Sequence, residues 1–207
     1  MEDGSMKKFK TMTGENINIE KGLEIKNSLE IMVNDINEGK VNRKQLKELC
    51  SEFVKTQKKG KFEGFWAIIL DDYMPSDARI DFLYWPTYCI TMAMMVGYMM
   101  NLNKEIDGFD DCFKLGLEAC TKRSFRGYTY EAEKDKIKVL NMFIQYGLFE
   151  FLRENKELCP RFNVCIKRIF KEMQERVNQG DTICDLGIDY EEEFKNILKL
   201  KANSKTN

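Results

Sequence analysis

Residues 71–101 read DDYMPSDARIDFLYWPTYCITMAMMVGYMMN. Acidic and basic side chains crowd the first part and then stop. From Phe82 to Asn103 there is no charged residue, a run of 22. Such a run is long enough to cross a hydrocarbon layer of about 30 Å. Pro86 argues against a crossing. Proline lacks an N–H and is tolerated only in the first turn of a helix, so the helix is expected to begin there. From Pro86 to Asn101 at 1.5 Å per residue gives about 24 Å, which falls short. Thr87, Tyr88, Thr91, Gly97 and Tyr98 dilute the apolar character further. A short helix that is apolar on every side is the central helix of a globular domain. Met92, Met94, Met95, Met99 and Met100 lie on it. Methionine is flexible and polarisable, so these side chains read either as core filling or as the lining of an adaptable cavity.

The flanking sequence is helical by periodicity. Ile19, Leu23, Ile25, Leu29, Ile31, Met32 and Ile36 predict a helix over about 16–38. Asn42 with Gln45 three residues on has the spacing of a capping box. Leu46, Leu49, Cys50, Phe53 and Val54 follow as one apolar stripe, ended by Lys55, Lys58, Lys59 and Gly60, the residues suited to a helix C-terminus. Residues 62–70 are apolar without a period. Periodicity alone leaves them open to helix or strand, and helix is favoured because no second strand candidate exists to pair with them. Asp107 and Asp110 open a helix with the stripe Phe109, Cys112, Phe113, Gly116, Leu117 and Cys120. Ile137, Leu140, Ile144, Leu148 and Phe151 predict a long helix over about 130–154. Pro160 suits the first turn of the next helix, which Gly180 ends. Asp189 with Glu192 opens a last one. The sum is an all-α single domain of about eight or nine helices over 15–200. Residues 1–14 are expected to be flexible, with Met1–Ser5 looking like a cloning remnant, and 201–207 form a flexible tail.

Composition narrows the function. The 207 residues carry 33 basic and 34 acidic side chains, a formal charge of −1. That gives no basic field for nucleic acid. Histidine is absent. This removes Ser-His and Cys-His nucleophile pairs and every histidine-containing zinc site. The seven cysteines are odd in number and contain no C-x-x-C, so they read as reduced core residues of a cytoplasmic protein. The N-terminus holds no apolar segment of the kind a signal peptide needs. No cofactor is expected, and no membrane contact.

Two stretches are site candidates. The first is Asp71, Asp72, Asp77 and Arg79 with Asp81, next to Tyr84 and Trp85. Paired aspartates can hold Mg²⁺ through oxygen ligands. D-D-x-x-x-x-D resembles the acidic motif of all-helical isoprenoid-diphosphate enzymes but departs from its D-D-x-x-D spacing. The alternative is local: Ser76 and Asp77 follow Pro75 and suit a helix start. The second stretch is Arg126, Tyr128, Tyr130 and Glu131, a cation, two phenols and a carboxylate in one expected loop. It belongs to an internal echo. KKGKFEGFW (58–66) and KRSFRGYTY (122–130) share Phe-x-Gly-aromatic after a basic helix end. This resembles the helix–turn–helix units of α/α-toroids and implies helical-hairpin repeats packed around the helix near 86–101. Converging turns would bring the second stretch toward Tyr84 and Trp85.

Three functions remain open from the sequence. The leading one is a binding module with a Met/aromatic pocket or groove, rimmed by aspartate and arginine, for a small-molecule ligand or a partner helix. The second is a histidine-free enzyme that uses an aspartate as base or Mg²⁺ ligand on an anionic or diphosphate substrate. The third is a homodimeric scaffold without a pocket.

Overall fold

The computed structural model describes residues 9–10, 16–69, 80–122, 143, 146–161, 164, 175 and 178. Five α-helices lie among them: α1 (Ile19–Asn37), α2 (Arg43–Thr56), α3 (Trp85–Met99), α4 (Phe109–Lys122) and α5 (Leu148–Glu154). The all-α class holds for the described residues. Beside the helices they contain a two-residue antiparallel ladder, with Phe9 opposite Ile17 and Lys10 opposite Asn16. No described helix is long and apolar enough to cross a membrane. The chain divides into two compact units, Met1–Cys120 and Thr121–Asn207.

In the first unit, helix starts follow side-chain chemistry. Asn16 and Ile17 are extended, so α1 begins at Ile19 rather than at 16, and Asn18 caps it by accepting from Lys21 N at 2.9 Å. Asn42 and Gln45 form the expected capping box. Asn42 Oδ1 accepts from Gln45 N at 3.0 Å, and Gln45 Oε1 accepts from Asn42 N at 3.1 Å. α2 buries Leu46, Cys50 and Phe53, as its stripe predicts.

The stripe of α1 differs from the sequence reading. Val33 and Ile36 are buried with Gly22, while Ile19 (50% exposed), Leu23 (39%) and Ile31 (61%) face solvent. Ile25, Leu29, Val33 and Ile36 recur at the 3.6-residue period, and Ile31 falls on the opposite side. Gly22 lies where α1 crosses Phe82 and Ile69. A Cβ there would sit 2.8 Å from the Phe82 ring.

Residues 62–69 do not form the favoured α-helix. Gly60–Phe62 make one 3₁₀ turn, and residues 65–69 then run as an irregular buried segment. Buried backbone groups need partners outside a helix or sheet, and side chains and turns supply them here. Trp66 N donates to the Thr87 hydroxyl at 3.0 Å. The Thr87 proton has Leu83 O at 2.7 Å and Trp66 O at 3.1 Å within reach. Lys58 N donates to Phe65 O, and Ile68 N to Phe82 O. Successive side chains then enter different parts of the core. Phe65 and Ala67 pack with Leu83 and Ala119. Ile68 and Ile69 pack with Phe82, Ile25 and Leu29. Trp66 is fully buried, and its indole N–H donates to Phe53 O at 2.8 Å.

α3 is the apolar helix read from the sequence. It begins at Trp85 with Pro86 in its first turn and is buried along nearly its whole length against α1 and α2. α4 lies close enough that a Cβ at Gly116 would meet the Trp66 ring at 2.8 Å and Thr91 Oγ1 at 3.1 Å. Asp110 and Asp111 fall in the first turn of α4, where acidic residues suit the helix dipole. The five described cysteines, Cys50, Cys89, Cys112, Cys120 and Cys159, are buried.

In the second unit most of the stretch 130–147 of the long helix expected over 130–154 lies outside the described residues, and the described part has a turn at 146–147. Gly147 takes a left-handed φ of 71° and α5 starts only at Leu148. Glycine adopts that conformation without a Cβ clash. Leu148, Leu152, Leu158 and Cys159 are buried. Pro160 lies in a turn and Val164 is helical. Gly180, Asp189, Glu192 and the second copy of the echo fall outside the described residues, apart from Lys122.

Candidate functional site around the start of the central helix

A π turn, Ile80–Tyr84, leads into α3. Its wider hydrogen-bonding pitch is rare and recurs at functional sites. Here it carries Asp81 and Tyr84 and runs directly into Trp85. Tyr84 meets Phe65 edge-on at 5.6 Å between ring centres. Trp85 is buried and meets Tyr88 at 6.3 Å with the rings perpendicular.

Lys26 of α1 reaches this turn. Its ammonium pairs with the Asp81 carboxylate and lies 5.6 Å from the centre of the Trp85 ring. The Lys26 side chain is only 17% exposed and that of Asp81 is 35% exposed. A largely buried cation is costly unless paired, and the carboxylate and the ring face both offset that cost. Glu30, one turn further along α1, acts on the same flank of α3. Burial, and then the Glu30 charge, push the Cys89 thiol above its ordinary range. The patch therefore offers a cation, a carboxylate, a phenol and an aromatic face at one helix start.

Of the sequence-derived candidates, Tyr84 and Trp85, adjacent in the chain, lie among the described residues. Asp71, Asp72, Asp77 and Arg79 lie outside the described residues, as do Arg126, Tyr128, Tyr130 and Glu131. Among the described residues no group of three cysteines or carboxylates is placed to hold a metal ion. Met92, Met94 and Met95 are fully buried, and Met94 Sδ lies 4.0 Å from Cys112 Sγ. Lys26 was not among the candidates. Its signal is a lysine set between Ile25 and Leu29, on the edge of the buried stripe. Comparison with protein-family models, curated proteins and solved structures finds no match.

Cys50 and Cys112 are poorly suited to thiol chemistry. Burial pushes both Cys50 and Cys112 up to about 12, which keeps them protonated and unreactive near neutral pH. A second charged cluster ties the turn after α3 to the start of α2. Glu105 pairs with Arg43 and, at 2.9 Å, with Lys47, while Arg43 also donates to Met100 O at 3.3 Å. The Arg43 hydrogen bond, then that of Lys47, hold the Glu105 carboxyl down at about 2. A depressed folded-state value means the pairing stabilises the fold above the ordinary value of 4.5 and is lost as pH falls through about 2. The stability gap between the native chain and Glu105→Gln is expected to be constant near neutrality. It should narrow below about 4.5 and close near 2, as followed by urea unfolding at a series of pH values. A gap independent of pH over that window would show that the charge contributes nothing.

Proposed function

We propose that the chain is a binding module whose small-molecule ligand docks at the turn opening α3. The reading rests on one observation: the Lys26–Asp81 pair held against Trp85 on a π turn. Small-molecule sites combine an aromatic surface with a few placed polar groups. In the sequence, the candidates Asp71, Asp72, Asp77 and Arg79 immediately precede this turn. The buried thiols are consistent with residence in a reducing, cytoplasmic compartment.

Native mass spectrometry of the gently purified full chain tests the proposal. The expected result is a mass excess that mild denaturation releases. It should be absent from the double variant Lys26→Met, Asp81→Asn. Removing both charges together strands neither one, so that variant keeps its helical circular dichroism. An apo mass for the native chain, with and without chelator, would overturn the reading. A second reading, self-association, is favoured by the exposed Ile19, Leu23 and Ile31 of α1. It predicts a dimer mass that grows with concentration in the same experiment.

A further inference from the structure

We draw no further inference here: the strongest candidate, the solvent-facing patch of Met99 and Met100 at the end of α3 beside Arg43 and Lys47, carries nothing because Glu105 already pairs with both cations and nothing in the structure shows what covers the methionines.

Discussion

Replacing Trp66 with alanine is expected to lower unfolding stability by about 3–5 kcal/mol, the range for truncating a fully buried aromatic side chain. Trp66 has no exposed surface, and its ring lies over Gly116 of α4 while its indole N–H is bonded to Phe53 O of α2. The side chain thus joins the 65–69 segment to both α2 and α4. Its loss leaves a cavity between helices that are each fixed by other contacts, so collapse into the gap is restricted. Urea unfolding followed by far-ultraviolet circular dichroism measures the change. A loss below about 1 kcal/mol would mean that the irregular segment is peripheral to the core, contrary to the packing described.

Gly64→Ala is the other large effect. Gly64 has a φ of +87°, and a Cβ placed on it would stand 2.4 Å from the Leu115 carbonyl oxygen of α4. Two costs then combine. An L-residue in a left-handed conformation loses about 1–2 kcal/mol. The overlap is with backbone, which cannot rotate away as a side-chain tip can. Gly39 supplies the control. It has a similar φ of +72° but nothing within 4 Å of the added Cβ. Gly39→Ala is expected to show the conformational cost alone, and Gly64→Ala at least about 1 kcal/mol more. Equal losses at the two sites would contradict the close approach of the 60–64 turn to α4.

The elements that could be read from the sequence are those whose own residues dictate them. The Asn42–Gln45 box needs two side chains three residues apart, and both bonds form. Pro86 fixes the first turn of α3 because proline fits there and not further in. Residues 65–69 could not be read, because their backbone is satisfied by Thr87 and Phe82 from a distant part of the chain. An apolar run without a period reports burial and not conformation. The exposed face of α1 misled for a different reason. Ile19, Leu23 and Ile31 are apolar, but only the 25–29–33–36 series keeps one helical phase. At the candidate site, Tyr84 and Trp85 were visible as aromatics beside charge. Lys26 was not, because its pairing with Asp81 spans 55 positions.

The central claim is that the methionine-bearing helix is the buried core of the first unit. Brief treatment of the native chain with hydrogen peroxide, read by peptide mass spectrometry, tests it most directly. Thioether oxidation follows solvent access. Met99 (62% exposed) and Met100 (40%) are expected to become sulfoxides early, while Met92 (1%), Met94 (0%) and Met95 (2%) react only once the chain is unfolded in urea. Equal rates for all five in the native chain would contradict the account and place the helix at a surface.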